Sequence, residues 1–267
     1  MMKIAIAGAT GRMGKMLIEA VLNTPDAELV GALEHSSCPL LGEDAGGFLG
    51  KKTGVLISAD VAQVLSGAQF LIDFTRPEGT MAHLAVAEKT GTKMVIGTTG
   101  LSAEQIASLK AASAKLAIVF APNMSVGVNA TLKLLDMAAR ILNSGYDVEV
   151  FEAHHKHKVD APSGTAARTA ALISDARKRA GLPAAPDATT DSLDGARGAN
   201  VGDVPVHSVR LRGLVAHQEV LFGGLGETLT IRHDSIDRAG FMPGVLLGVR
   251  EVSSYPGLTI GLDKFMN

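Results

Sequence analysis

The chain contains no tryptophan, one cysteine and few aromatic residues, and these shortages limit the classes of protein to which it can belong. Aromatic residues make up 4% of the sequence, so we expect no platform on which nucleic-acid bases could stack. The single cysteine, Cys38, excludes an internal disulfide framework. Such sparing use of cysteine is typical of a protein from a reducing compartment.

An excess of one charge and long apolar runs are missing as well. The formal net charge is −2, with no basic stripe or polybasic tail, so we expect neither nucleic acid nor a membrane as a partner. No segment approaches the roughly 20 consecutive apolar residues of a membrane span. The N-terminus leads directly into a strand-like segment, so we expect no signal peptide and predict a soluble cytoplasmic protein.

What the sequence does contain is enough apolar material for a substantial core. Apolar residues make up 46% of its 267 residues, which indicates one large domain or two ordinary ones. In the first half, short apolar strands alternate with amphipathic helices. The predicted strands are Lys3–Ala7, Glu28–Glu34, Phe70–Phe74, Lys93–Ile96 and Leu116–Phe120, and the predicted helices are 12–23, 60–65, 77–90 and 102–114. We expect Ser102 to cap the last of these helices with help from Glu104. This alternation predicts an α/β fold with a Rossmann-type, doubly wound parallel sheet.

The pattern changes after about Ser125. The predicted order is a helix at 127–143, a strand at Asp147–His155, a helix at 165–181, a long loop at 183–205, strands at His207–Leu211, Val215–Phe222 and Thr228–His233, a helix at 238–252 and a strand at Gly257–Leu262. Closely spaced strands separated by glycine turns predict a second α/β domain with a mixed or antiparallel sheet. We expect the last two elements to return to the first domain.

Three glycines follow the first strand. Gly8, Gly11 and Gly14 form a G-x-x-G-x-x-G pattern before a helix, and glycine lets the backbone take positive φ and approach a pyrophosphate closely. Glu34 ends the second strand 20 residues later (34 − 14), where an acidic residue accepts hydrogen bonds from a ribose. This combination predicts binding of a nicotinamide dinucleotide. The competing interpretation is a turn that only needs small residues.

The choice between NADH and NADPH stays open. His35 follows Glu34, and a histidine is only partly charged at neutral pH, so it gives weak support for a 2′-phosphate. Arg12 fits a solvated helix residue and a phosphate neighbour equally well. The turns 97–99 and 121–124 leave the ends of predicted parallel strands, where ligands bind in this architecture, although ordinary loop chemistry would also explain them.

A basic cluster in the middle of the chain stands out. Three histidines and two lysines fall within 152–158, and a Pro-Ser-Gly-Thr turn at 162–165 opens a predicted helix. Ser163 is a good N-cap, so the N–H groups of Gly164 and Thr165 would be free to hold a carboxylate, with Lys158 as the nearby cation.

Proton transfer is the second chemistry that this cluster favours. The two-residue period of a strand puts His154 and His155 on opposite faces, so we expect different roles for them. When a hydride adds to carbon, His154 or Lys158 could supply a proton to an imine or enamine nitrogen of the substrate. Three alternatives stay open, namely a zinc site, a solvated basic loop, and a structural cluster in which Asp160 and Glu152 pair locally.

These motifs resemble the 4-hydroxy-tetrahydrodipicolinate reductase family, also called dihydrodipicolinate reductase. The matching stretches are 8–14, 73–75, 97–100, 123–129, 152–166, 217–219, 222–223 and 231–235. The resemblance spans essentially the whole chain, and the stretch 152–166 carries most of its specificity.

The resemblance implies an NADH- or NADPH-dependent reduction of the cyclic hydroxy-dicarboxylate, or of its dehydrated dihydrodipicolinate form, to tetrahydrodipicolinate in diaminopimelate and lysine biosynthesis. It implies no metal and a homotetramer built through the second sheet. The implied domains are a dinucleotide-binding domain at 1–126, completed by 236–267, and a substrate-binding and oligomerisation domain at 127–235.

The resemblance also implies residue roles. His154 is the expected catalytic acid/base and Lys158 the expected proton donor, while His155, Gly164 and Thr165 are expected to contact the substrate. The expected cofactor residues are Gly8, Ala9, Thr10, Gly11, Arg12, Met13, Glu34, Gly97, Thr98, Thr99, Ala121, Pro122, Asn123 and Met124. The sequence departs from the family pattern at His35, where arginine is frequent, and at Met124, where phenylalanine is frequent.

Two other functions stay open at this stage. A metal-dependent hydrolase would use His154, His155 and His157 as ligands, and its activity would be lost with a chelator. A non-catalytic dinucleotide sensor would bind NADH without oxidising it. The density of proton-transfer groups around one anion site is the feature that disfavours the sensor.

Overall fold

The computed structural model describes residues 1–142, 145–184 and 186–266, which belong to two compact units. The first unit comprises Met1–Val126 and Phe241–Asn267, and the second comprises Gly127–Gly240. Residues 236–240 therefore lie in the second unit. The last strand of that unit continues to Ser235, and a short 3₁₀ turn follows it. The predictions for residues 143, 185 and 267 lie outside the described residues.

The strands and helices of this described part are as follows. The strands are β1 (Met2–Ala7), β2 (Ala27–Leu33), β3 (Ile57–Ser58), β4 (Phe70–Asp73), β5 (Lys93–Ile96), β6 (Ile118–Phe120), β7 (Asp147–His154), β8 (Ala199–Val201), β9 (Val204–Arg210), β10 (Ala216–Gly224), β11 (Glu227–Ser235) and β12 (Leu258–Ile260). The helices are α1 (Arg12–Leu22), α2 (Val61–Ser66), α3 (Pro77–Thr90), α4 (Ala103–Ala112), α5 (Val126–Ile141), α6 (Gly164–Arg179) and α7 (Met242–Glu251).

The first unit contains a seven-stranded parallel sheet. Its strand order is β12-β6-β5-β4-β1-β2-β3, and every neighbouring pair is parallel. The predicted Rossmann-type sheet is confirmed. The two-residue strand β3 was not predicted, because two residues are too few to show a period.

Alternate residues of β1 face two separate cores. Ile4 and Ile6 pack in the core that also contains residues of α1 and α7, whereas Ala5 and Ala7 belong to the other core, with residues of α3 and α4. Because helices cover both faces of the sheet, its central strands are apolar over most of their length, with charged residues such as Lys3, Asp73 and Lys93 at or near their ends. This explains why the strands appear in the sequence as uninterrupted apolar runs.

The C-terminal segment joins the first unit, as expected. Strand β12 pairs with β6, and helix α7 packs so closely that a Cβ atom on Gly244 would lie 1.9 Å from the carbonyl oxygen of Met124. Helix α7 is shorter than the predicted helix 238–252, because 3₁₀ turns at Arg238–Phe241 and Val252–Ser254 flank it.

The second unit contains a mixed five-stranded sheet in the order β11-β10-β7-β9-β8. Strand β7 is parallel to β9, and the other pairs are antiparallel. Residues of α5 and α6 pack in one core with β7, β9 and β10. The predicted loop 183–205 was wrong at its end, because 199–201 form an edge hairpin with β9 across Gly202, which has φ +66°. This edge strand is largely exposed, so it lacks the apolar alternation that marks a strand.

Helix α4 starts as predicted at Ser102, but the partner in its capping box is different. The Ser102 hydroxyl accepts a hydrogen bond from the Gln105 backbone, and the Gln105 side chain accepts one from the Ser102 backbone. Glu104 instead accepts a bond from the Ser102 hydroxyl. Across the described ranges, the structure contains no helix of the length and apolarity needed to cross a membrane.

Candidate active site

The glycine-rich turn lies between β1 and α1. Gly8 has φ +70°, and a Cβ atom on Gly14 would lie 2.0 Å from the Gly8 carbonyl oxygen, so only glycine allows α1 to start this close to the strand. Helix α1 begins after Gly11, which has no side chain to cap the first N–H groups. The turn therefore presents backbone donors at a positive helix end, which suits a phosphate.

Glu34 lies beside this turn, directly after β2. Its Oε2 atom accepts hydrogen bonds from the Thr10 backbone at 3.0 Å and the Thr10 hydroxyl at 2.7 Å, and Oε1 accepts one from the His35 backbone at 3.0 Å. Partial burial raises the pKa of Glu34, but these hydrogen bonds outweigh burial and leave the pKa below its usual value. Glu34 is thus an anion at neutral pH, in reach of the glycine turn.

The remaining predicted cofactor residues occupy different environments. Arg12, Thr99 and Pro122 are exposed, and Gly8, Thr10, Met13 and Asn123 are partly buried. Ala9, Thr98, Ala121 and Met124 are buried, so their side chains contribute to packing rather than to an open surface, and Gly97 is buried as well. A larger residue does not fit at Gly97, because a Cβ atom there would lie 2.1 Å from the Phe74 ring.

An acidic network at the end of β4 was not predicted from the sequence. Asp73 is fully buried and accepts hydrogen bonds from the Thr75 hydroxyl at 2.6 Å, the Thr98 hydroxyl at 3.3 Å and Nδ1 of His83 at 2.8 Å. Burial raises the pKa of Asp73, but His83 and the Thr75 donors outweigh it and lower the pKa. The network joins the carboxyl ends of β4 and β5, next to the glycine turn of β1.

In the second unit, His154 is the last residue of β7, and its imidazole binds a buried carboxylate. Nδ1 of His154 lies 2.5 Å from Oε2 of Glu152, which is 0% exposed. Because an ionised carboxylate only accepts hydrogen bonds, Nδ1 carries the proton and Nε2 remains available. Burial lowers the pKa of His154, as do the charges of Lys158 and Arg210, and Glu152 opposes them without reversing the direction.

Arg210 completes the environment of Glu152. Its two terminal nitrogens each lie 2.8 Å from one carboxylate oxygen, and the Ser163 backbone donates to the same carboxylate at 3.0 Å. Burial raises the pKa of Glu152, yet Arg210, Ser208, His154 and Ser163 together lower it. Arg210 was not a predicted site residue, since only the parallel pairing of β7 with β9 places it beside His154.

The predicted anion site lies at the start of α6. Ser163 caps this helix, accepting from the Ala166 backbone at 3.1 Å. The Gly164 backbone donates to Oδ2 of Asp160 at 3.2 Å, and Nζ of Lys158 lies 2.7 Å from Oδ1 of the same carboxylate. The structure thus brings Lys158 and the helix N-terminus together around one carboxylate group, which belongs to the chain itself.

The other histidines of the cluster point to no common ligand. Strand β7 ends at His154, and His155 and His157 are exposed, with ring centroids 6.4 Å apart. Thr165 is partly buried in the first turn of α6. Over the residues that the structure describes, no three His, Cys, Asp or Glu side chains are arranged to hold a metal ion.

Family models match nearly the whole chain. Residues 2–124 match the model described as dihydrodipicolinate reductase, N-terminus, and residues 127–266 match the model described as dihydrodipicolinate reductase, C-terminus. A 4-hydroxy-tetrahydrodipicolinate reductase from Polynucleobacter necessarius is 64% identical over 250 residues, covering 93% of this chain and 92% of the relative. One from Burkholderia cenocepacia is 52% identical over 254 residues, covering 95% and 94%.

Solved structures show the same similarity. The dipicolinate-bound dihydrodipicolinate reductase from Paenisporosarcina sp. TG-14 is 34% identical, has a TM-score of 0.83 and covers 99% of both chains. An amine dehydrogenase from Mycobacterium smegmatis has a TM-score of 0.66 at 15% identity, covering 98% of this chain and 95% of its own. The second likeness concerns the fold alone.

Proposed function

The chain belongs to the dihydrodipicolinate reductase family, and from this premise we propose how its own residues carry out the family reaction. The activity is reduction of 4-hydroxy-tetrahydrodipicolinate, or of its dehydrated dihydrodipicolinate form, to tetrahydrodipicolinate in the diaminopimelate and lysine pathway. The observation that carries this assignment is the grouping of His154, Lys158 and the α6 N-terminus at one end of β7. Family models that match both units support it.

The substrate is a dicarboxylate, and the start of α6 offers the chemistry to bind one carboxylate. The N–H groups of Gly164 and Thr165 lie in the first turn of the helix, whose dipole favours an anion. Lys158 adds a cation, and the exposed His155 adds a further contact. The contacts of Asp160 support this assignment, because its carboxylate accepts from both the Gly164 backbone and Lys158. The dipicolinate bound in the Paenisporosarcina relative, also a dicarboxylate, supports this substrate class.

Proton transfer is assigned to His154 and Lys158. Glu152 holds Nδ1 of His154, which leaves Nε2 for the substrate nitrogen. Because burial keeps the His154 pKa low, the ring is largely neutral near pH 7 and can take up a proton from Lys158 or solvent before passing it on. Lys158 carries three N–H donors and is the second candidate for the group that delivers the proton.

The first unit fits a nicotinamide dinucleotide. The Gly8–Gly14 turn has no room for a Cβ atom on Gly14 and opens at the start of α1, which suits a pyrophosphate. The Glu34 carboxylate would accept hydrogen bonds from a ribose. The nicotinamide supplies the hydride when bound. We assign Gly8, Ala9, Thr10, Gly11, Arg12, Met13, Glu34, Gly97, Thr98, Thr99, Ala121, Pro122, Asn123 and Met124 to this site.

We assign binding of the dinucleotide to residues 1–126 and 241–267, and binding of the substrate to 127–240. We assign assembly to the same second unit. One face of its sheet exposes two large apolar side chains, Phe151 on β7 and Leu221 on β10, beside a groove of about 440 Å³. We expect a homotetramer built through this face. Light scattering should give four times the 27.6 kDa chain mass, and Leu221→Glu should reduce it. A measured mass of 27.6 kDa for the unmodified protein, that of a single chain, would contradict this assembly.

The decisive experiment is an absorbance assay with freshly generated substrate and with NADH and NADPH in parallel. We expect oxidation of at least one cofactor, and the ratio of the two kcat/KM values gives the preference that His35 leaves open. Binding of NADH without oxidation would favour the sensor. Loss of activity with a chelator would favour the metal-dependent hydrolase. The cytoplasmic location stays a prediction from the sequence.

A further inference from the structure

Glu152 is a buried carboxylate that connects the two halves of the substrate site. Its Oε2 atom accepts from Nδ1 of His154 at 2.5 Å, and its Oε1 atom accepts from the backbone of Ser163 at 3.0 Å. His154 is the proposed proton-transfer residue, and Ser163 is the N-cap of α6, whose first turn is the proposed carboxylate site. One fully buried group therefore holds both parts.

Arg210 holds this carboxylate in place. It donates from both terminal nitrogens to Glu152, each at 2.8 Å, and one of these nitrogens also donates to the carbonyl oxygen of Asp160 at 2.7 Å. Such a bidentate ion pair fixes the plane of the carboxylate as well as its position. Because Glu152 is 0% exposed, its charge needs this partner to remain ionised.

We propose that Glu152, oriented by Arg210, is a positioning residue that keeps His154 in the Nδ1–H tautomer and in register with the N-terminus of α6. The inference rests on the proposed function, in which His154 transfers a proton. A carboxylate cannot donate a hydrogen bond, so it stabilises only a ring that carries hydrogen on Nδ1. In the neutral ring Nε2 then carries the lone pair, and we assign this nitrogen to proton exchange with the substrate.

The charged groups around His154 come from three neighbouring segments. Strand β7 supplies Glu152, β9 supplies Arg210, and the turn after β7 supplies Lys158 with its partner Asp160. Strand β10 places the uncharged Ala216 opposite His154. The first charged side chain of α6, Arg168, is exposed. Glu152 is thus the negative group in direct contact with the ring, and its loss should favour the neutral imidazole.

The test is Glu152→Gln, which preserves shape but removes the charge. If the amide oxygen keeps its bond to Ser163, the amide NH₂ faces Nδ1 of His154 and favours the opposite tautomer. We expect kcat to fall by about 10²- to 10⁴-fold, the range that general acid–base catalysis contributes, while KM for the cofactor is unchanged. We also expect the ionisation of His154 to move to lower pH, and the corresponding limb of the pH–rate profile to move with it.

A direct readout separates this role from general damage. Nitrogen-15 NMR of the imidazole distinguishes the two tautomers, and we expect the Nδ1–H form in the unmodified protein and its loss in Glu152→Gln. Glu152→Asp, which restores the charge, should recover part of the Nδ1–H signal. If Glu152→Gln does not fold, Arg210→Lys is tested in its place. Lysine keeps the positive charge but loses the bidentate contact with Glu152, so we expect smaller decreases in kcat and in the Nδ1–H signal.

Asp26→Asn is the matched control. Asp26 also accepts a bidentate contact from an arginine, Arg250 at 3.0 and 3.1 Å, and it lies in the first unit, outside the proposed assembly face. We expect kcat and the His154 signals to stay as in the unmodified protein. Wild-type tautomer, ionisation and kcat in Glu152→Gln would overturn the inference. An unmodified protein that oxidises neither cofactor would overturn the proposed function instead, and the NMR result would still decide the tautomer.

Discussion

Oδ1 of Asp160 lies 2.7 Å from Nζ of Lys158, an ion pair between the proposed substrate-binding lysine and a carboxylate of the same turn. Oδ2 of Asp160 also accepts from the Gly164 backbone at 3.2 Å. The hydrogen bond from Lys158 is the main reason why the pKa of Asp160 is lowered. Asp160 therefore occupies the donors that a substrate carboxylate would need, and the two must compete for them.

Asp160→Asn should strengthen substrate binding. The amide has no charge to hold Lys158, so we expect KM for the dicarboxylate to fall by up to about fivefold, which corresponds to the ~1 kcal/mol limit of a partly exposed ion pair. Initial rates over a range of substrate concentrations measure this. Asp136→Asn is the control, since it removes the exposed pair with Arg179 and should leave KM unchanged. A rise in KM for Asp160→Asn would show that Asp160 supports the site rather than competing for it.

His154→Ala and Lys158→Ala should both reduce turnover. We expect losses of roughly 10²–10⁴-fold if each acts in proton transfer. Lys158→Ala should also raise KM for the dicarboxylate, because it removes a binding cation, whereas His154→Ala should act mainly on kcat. Near-normal turnover in both variants would contradict the proton-transfer assignment.

Glu34→Ala should weaken NADH binding. Its lowered pKa keeps Glu34 ionised, and a hydrogen bond to a charged acceptor contributes about 1.5–3 kcal/mol, so KM for NADH should rise by about 10- to 100-fold. Glu34 also holds Thr10, and part of the effect would come through the turn. KM for NADPH should rise less, since a 2′-phosphate gains from losing a nearby anion. Glu28→Ala, an exposed glutamate on the same strand, should change neither value.

Asp73→Asn should change how stability depends on pH. The folded-state pKa of Asp73 is lowered, so its contribution is present above the unfolded value of about 3.9 and is lost as pH falls through the folded pKa. We expect the variant to be about 1–3 kcal/mol less stable at pH 5–7 and this difference to shrink below about pH 4. Urea unfolding at several pH values measures it. Glu88→Gln, which removes a surface pair with Lys115, should show a much smaller difference at every pH. If the loss of unfolding free energy in Asp73→Asn stays constant from pH 7 to pH 3, the stability does not come from the ionised Asp73 carboxylate.

Several features could be predicted because their signals are local. The glycine spacing at 8–14 fixed a strand, a turn and a helix, and the structure places them so. The mixed second sheet followed from closely spaced strands, and the cap at Ser163 followed from its residue type. The short strands β3 and β8 were missed, since a few residues with partial exposure show no period.

The cluster at 152–165 shows where local signals end. The sequence alone determined that histidines, Lys158 and a helix start lie together, because they are neighbours along the chain. The tertiary structure decided their environments. It buried Glu152 against His154 and brought Arg210 from 58 residues away to bind it, through the parallel pairing of β7 with β9. That pairing depends on how α5, α6 and the sheet pack into one core, which no spacing within the motif can show.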